Sequence, residues 1–264
     1  MNTQLRYSGY KNTEQLWHNK LLDVTQCDII NQKDIEIIKP IKFLRLGQLV
    51  EYFLFSEMKT NSDIEIIGQN IQVIENKITI GELDCLILDN HKPVHIEIVY
   101  KFYLYDESLT GNEIDKWIGP NRNDSLKHKL TKLKYKQLPL LHHSKTSEII
   151  NSLGFKSELF DQRVHFKGQL FTPLNFNKNK INLLNEKCIQ GTYITLNELH
   201  LYTGCSFYIP NKLDWLVKPH NEVNWISLED CKMFVKTQHL KKRSVLVWIK
   251  TKVSIEKCFI VFWN

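Results

Sequence analysis

The chain has 264 residues, a net charge of +6, a sequence pI near 8.8, 42% hydrophobic residues and 24% charged ones. That balance excludes a globally disordered chain, and the length allows one large domain or two small ones. The mild basicity permits an anionic partner such as nucleic acid without demonstrating one.

No run of roughly 18 apolar residues occurs, which argues against a membrane-spanning helix. The opening "MNTQLRYSGYKNTEQLW" has no apolar signal-peptide stretch. Cys27, Cys85, Cys188, Cys205, Cys231 and Cys258 lie far apart, without a C-x-x-C pair. The expectation is a cytoplasmic protein with reduced thiols and no membrane partner.

In chain order, residues 1 to 40 read as a helical lead-in. "IKFLRLGQLVEYFLFSEM", Ile41 to Met58, follows Pro40 and predicts a buried helix. Stretches near 63–67, 71–74, 77–88 and 95–105 are rich in Ile, Val, Leu and aromatics and predict strands. "GPNRNDSL", Gly119 to Leu126, predicts a turn, with Asp124 or Ser125 capping a helix to about Gln137. The polar tract from Asn175 predicts a loop. Beyond it come mixed strands, a short helix Leu228 to Val235 and a strand near Phe259 to Trp263.

The hairpin "GELDCLILDNHKPVHIEIVYKFYLY" places Glu82, Asp84, His95, Glu97 and Lys101 among apolar residues. If Asn90 and His91 form a two-residue turn, residues whose numbers sum to 181 pair and Asp84 faces Glu97; Pro93 leaves room for a one-residue slip, which would put the two acids on opposite faces. Like charges directly opposed across a sheet repel, and a divalent cation would relieve them. Alternatively, the face is wet, with the acids splayed into water or neutralised by Lys101.

Around Glu51, positions at helical spacing are Leu44, Gly47, Leu54, Phe55 and Met58, which predicts a buried carboxylate in need of a partner. That partner is a metal ion or, equally, Arg45, a backbone amide or a core lysine.

Arg122, Lys127, Lys129, Lys132, Lys134 and Lys136 form the densest basic cluster. On a helix, Lys129, Lys132 and Lys136 share one side and suit phosphates, while Leu126, Leu130 and Leu133 pack on the sheet. "HLKKR", His239 to Arg243, is a second basic group. Trp215, Trp225 and Trp248 read as core residues before base-stacking ones.

"RLGQLVEYF", "GELDCLI", "HIEIVYKFYLY", "GPNRNDSLKHKLTKLKYKQL" and "FKGQLFTP", in that order, resemble the bacterial family of domain of unknown function 1853. That family is in turn similar to the PD-(D/E)XK nuclease superfamily. The resemblance implies an α/β fold: a restriction-endonuclease-like core over residues 1–174, with a mixed central sheet flanked by helices, and a smaller C-terminal α+β extension over 175–264. It makes Glu51 the helix acid, Asp84 and Glu97 the metal carboxylates and Lys101 the candidate lysine.

One departure stands out: the superfamily's lysine lies two residues after the second acid, where this chain has Val99. Lys101 is four residues after it, about 13 Å along a strand. Lys129 is the other lysine to weigh, and His95 can bind metal, orient water or simply lie at the surface.

The expected function is Mg²⁺- or Mn²⁺-dependent phosphodiester hydrolysis, of DNA more than RNA, with Arg122, Lys127, Lys132 and Lys136 on the nucleic-acid backbone. The alternative is a catalytically inactive nucleic-acid-binding or scaffold module, with a protein partner in either case conceivable.

Overall fold

A computed structural model describes residues 2–27, 35–37 and 45–263. Part of the expected lead-in, and Ile41 to Leu44 of the expected long helix, lie outside the described residues. The chain begins with helix α1 (Thr3–Lys11), capped by Asn2. A two-stranded ribbon follows, β1 (Lys20–Leu21) and β2 (Val24–Thr25), and then helix α2 (Leu46–Met58).

Two hairpins come next. β3 (Ile64–Glu75) returns as β4 (Ile78–Asp89), and β4 returns as β5 (Lys92–Tyr105). Both turns use residues with positive φ, Asn76 and Lys77 at 49° and 63°, then Asn90 and His91 at 49° and 66°. Two consecutive left-handed residues match the right-handed twist of the flanking strands. Cys85 accordingly pairs with Ile96 and Asp89 with Lys92, the sum-181 register expected from the sequence.

β6 (Trp117–Ile118) pairs with the end of β5. Helix α3 (Leu126–Lys132) is capped by Ser125, whose hydroxyl accepts from the His128 N–H at 3.2 Å. It widens into a π-helical turn at Leu133–Gln137 and tightens into a 3₁₀ turn at Leu138–His142. Helix α4 (Ser144–Ser152) leads to β7 (Asp161–Pro173), which lies parallel to β5.

β8 (Ile189–Thr195) continues the sheet parallel to β7. It is followed by β9 (Ser206–Tyr208), helix α5 (Leu228–His239), β10 (Val245–Lys250) and β11 (Ile255–Val261). The result is one mixed nine-stranded sheet, ordered β3-β4-β5-β7-β8-β11-β10-β9 with β6 beside β5, and helices against it. Residues beyond 174 thus add their strands to the same sheet that β3, β4, β5 and β7 begin.

β5 is covered on both faces. Ile96, Tyr100 and Phe102 pack with Phe53, Leu54 and Met58 of α2. Val99 and Tyr103 pack with Leu126, Leu130 and Leu133 of the α3 region. Each fully buried side chain of this size stabilises the fold by about 2 kcal/mol. His95 and Glu97 of β5 therefore sit in a two-sided core, which removes the wet-face alternative for them: both are fully buried. The six cysteines are all free, five of them buried.

Candidate functional site

The β4–β5 ladder stops at Cys85 and Ile96. One residue further on, Asp84 Oδ2 accepts from the Ile98 backbone N–H at 2.8 Å, a side chain standing in for a ladder bond. Asp84 and Glu97 are consequently not a regular cross-strand pair as the sequence register implies, because the strands part there. They still share a face: Leu86 opposes His95, and the two acids are the next residues on that side of each strand.

Glu97 has both oxygens engaged. His95 Nε2 donates to Oε1 at 3.2 Å, and Gln137 Nε2 donates to Oε2. Gln162 Nε2 donates to His95 Nδ1 at 3.3 Å and to the Leu138 carbonyl at 2.5 Å. With Nδ1 accepting, the imidazole proton sits on Nε2, facing Glu97. The surface role considered for His95 is therefore incorrect, since the ring is locked inside the sheet-helix layer.

Lys129 Nζ donates to Gln137 Oε1 at 2.7 Å, so one amide links the lysine to the acid. Burial is the main cause that lowers Lys129 to about 8; the like charges of Lys132 and Lys101 add to it, and Glu97 and Asp84 oppose it. Burial, then the charge of Glu97, raises Asp84 to about 7. Glu82 is raised in the same sense by burial and by Glu51 and Glu97. These are carboxylates that repel one another in a poorly solvated place, a state that a proton or a cation relieves.

Glu51 is half-buried rather than buried as expected, and Asn70 Nδ2 donates to its Oε2 at 3.0 Å. It lies on the flank of α2, while the inner face carries Val50, Phe53, Leu54 and Glu57. The deeply buried acid of this helix is Glu57, which accepts from the Tyr7 hydroxyl at 3.1 Å. Glu51 remains close enough that its charge raises both Asp84 and Glu82.

Lys101 pairs with Asp124 at 2.7 Å on the wall of a cleft of about 570 Å³. The basic cluster does not form one bare stripe. Arg122 pairs with Asp106 at 2.9 Å and lies over the Trp263 ring, Lys127 pairs with Asp115 at 2.5 Å, and Lys134 pairs with Asp23 at 2.9 Å. Lys132 and Lys136 are exposed and border a shallow depression with Tyr135. Trp215 and Trp248 are buried, as core residues should be, and Trp225 lies under Lys250.

Gln137, Gln162 and Lys212 were not singled out from sequence. Gln137 had a signal: it extends the stripe Leu126, Leu130, Leu133 by four residues, a polar side chain at a core position. Gln162 and Lys212 had none, because β7 and the turn before Trp215 reach the site only through the sheet.

Among the described residues, no group of three or more His, Cys, Asp or Glu side chains gathers closely enough to hold a metal ion. By donor type, Asp84, Glu97 and Glu51 fit a hard divalent cation, which takes carboxylate oxygens. Asp84 Oδ1 accepts no hydrogen bond among the described residues, whereas both Glu97 oxygens would have to exchange a protein donor for the ion.

The chain belongs to the family described as Domain of unknown function (DUF1853), whose model matches residues 9–260. No curated protein matches it, and no solved structure does.

Proposed function

We propose that this protein is a divalent-metal-dependent nuclease with a PD-(D/E)XK-like core over residues 1–174 and an extension over 175–264, working on DNA in preference to RNA in the cytoplasm. The observation that carries this is the parting of β4 and β5 at two mutually repelling carboxylates, half-buried Asp84 and buried Glu97, with Glu51 beside them and Lys129 linked to Glu97 through Gln137. Such a group has little use as a fold-stabilising device, since acids that repel one another away from water cost free energy even where they are hydrogen-bonded.

Asp84 and Glu97 would hold Mg²⁺ or Mn²⁺, with Glu51 next to it; the ion, when bound, polarises a phosphodiester and lowers the pKa of a water. The chain's own groups do the rest. Ile98 N–H fixes the Asp84 carboxylate, and His95 with Gln137 fixes Glu97. Lys129, with a pKa near 8, supplies positive charge, or a proton, beside the phosphate, where negative charge grows as the phosphorus is attacked. It thereby takes the place of the lysine that Val99 does not provide.

A second function is favoured by one observation: both Glu97 oxygens are already satisfied by protein donors in a fully buried site. On that basis the same fold binds nucleic acid, or a protein partner, without cutting.

The test is digestion of single-stranded, double-stranded and branched DNA, and of RNA, with Mg²⁺ or Mn²⁺, using wild type beside Asp84→Asn and Glu97→Gln. Metal-dependent cleavage lost in both folded variants is the expected result. A folded wild type that neither cleaves any substrate nor binds Mn²⁺ in a titration refutes the nuclease assignment.

A further inference from the structure

The cleft that Lys101 borders lies beside the carboxylates and has an unusual charge inventory. Lys101, Lys129 and Lys212 all line it, with Asn121 and Asn123, and among the described residues Asp124 is its one acid. Asp124 is already paired with Lys101, and Lys129 with the Gln137 amide oxygen. Burial first, and then the charge of Lys101, disfavour the protonated form of Lys212, with Asp124 opposing them, and Lys101 acts in the same sense on Lys129, so Lys101 lies within electrostatic reach of both. Converging like charges destabilise a fold unless an anion completes them.

Lys212 has no carboxylate partner among the described residues. Its ammonium sits over the Trp215 ring, 3.4 Å from the centroid, and 5.4 Å from that of Phe102. Aromatic faces hold the cation in place while leaving its N–H donors for a ligand.

The start of α2, Leu46 and Gly47, also lines the cleft. This is a 13-residue helix whose N-cap, Arg45, makes no side-chain capping bond and whose first turn holds no acid. A helix start of this kind favours negative charge in front of it. Among the described residues, the nearest atom to a Cβ built on Gly47 is Glu51 Oε1 at 3.8 Å, so a side chain there would lie next to the acid.

We infer that this cleft is a phosphate-binding subsite for the backbone of a single nucleic-acid strand, with Lys212 as its anchoring cation and the N-terminus of α2 in its lining. The inference rests on the nucleic-acid part of the proposed function, and it adds a residue, Lys212, from outside the nuclease-like core. A single strand is the fitting occupant because about 570 Å³ is the size of a small-ligand cleft, too small to take a duplex side-on. A second hollow, sharing Asn121 and Lys212 and bordered by Arg243, continues from it and gives the strand an exit past the "HLKKR" group.

The experiment is fluorescence-anisotropy binding of a short labelled oligothymidylate, its RNA counterpart and a duplex of equal length, in EDTA, across a salt series. Wild type is compared with Lys212→Gln, Lys212→Arg, Gly47→Asp and a lysine outside the cleft, Lys252→Gln. Lys212→Gln should weaken single-strand binding by about five- to tenfold and reduce the salt slope by about 0.7, the value for one lost phosphate contact. Lys212→Arg and Lys252→Gln should bind nearly as wild type.

Gly47→Asp separates binding from folding. An acid in the first turn suits the helix dipole and removes a helix-interior glycine, which offsets repulsion from Glu51 one turn on, so its urea midpoint should hold while affinity falls. Whether DNA or RNA is the tighter ligand identifies the source of the strand. Unchanged affinity and slope in Lys212→Gln, duplex binding as tight as single-strand binding, or no binding by wild type would each overturn the inference. Because no metal is present, absence of cleavage in the digestion assay leaves this result standing, and the two proposals can fail separately.

Discussion

Replacing Gln137 with Leu keeps the side chain's bulk and removes the amide that joins Glu97 to Lys129. Glu97 is fully buried, so the Oε2 that loses its donor cannot turn to water. A hydrogen bond to a charged group is worth about 1.5–3 kcal/mol, and an unpaired buried acceptor is at the upper end of that range. Lys129 also loses its acceptor, but it lines the open cleft and can rehydrate, which adds little. The expected loss is about 3 kcal/mol, or a urea midpoint lower by about 1 M for a slope of about 3 kcal/mol/M.

The assay is urea unfolding in EDTA at neutral pH, with the slope checked for constancy. It is repeated in a Glu97→Gln background, where no buried charge remains and the same substitution should cost less than half as much. A Gln137→Leu variant within 0.5 kcal/mol of wild type, or an equal cost in both backgrounds, would show that the amide does not hold a charged Glu97.

His165 is fully buried beside Tyr10, and burial, with Lys167 nearby, lowers its pKa to about 3. Its folded pKa lies below the unfolded value near 6.5, so its contribution to stability is intact above that value and declines as pH falls toward 3. His165→Gln should flatten that part of the stability–pH curve, measured by urea midpoints between pH 4 and 7; an unchanged curve would mean that the ring is not buried neutral. Asp124→Asn removes the carboxylate paired with Lys101, and nucleic-acid affinity should rise about twofold to fivefold with a steeper salt dependence. Equal or weaker binding would place Lys101 outside the phosphate path.

Local sequence determined the hairpins and most helix faces. Asn-His at 90–91 can take two left-handed residues in succession, and that alone set the sum-181 register that brings Asp84 and Glu97 to one side. Ser125 set the start of α3, and the spacing of Leu126, Leu130 and Leu133 set its inner face. Helix α5 begins at Leu228 as its Ser227 cap dictates but runs on to His239, because its exposed last turn carries no breaker.

Tertiary structure decided what no local pattern carries. Alternation on β5 is compatible with a wet face; only the arrival of β7 at one edge and helices on both faces made His95 and Glu97 fully buried. Helical spacing named Glu51 as the buried acid, yet the layer that covers α2 includes α1, whose Tyr7 and Tyr10 reach Glu57 instead. Lys212 lies 111 positions from Lys101 in the numbering of the chain and meets it at one cleft because the 3₁₀ turn Lys212–Leu216 packs on α1 and α2, with Trp215 against Phe102 of β5. Periodicity reports which side of an element is apolar, whereas burial of a charge and convergence of distant lysines depend on which element packs against it.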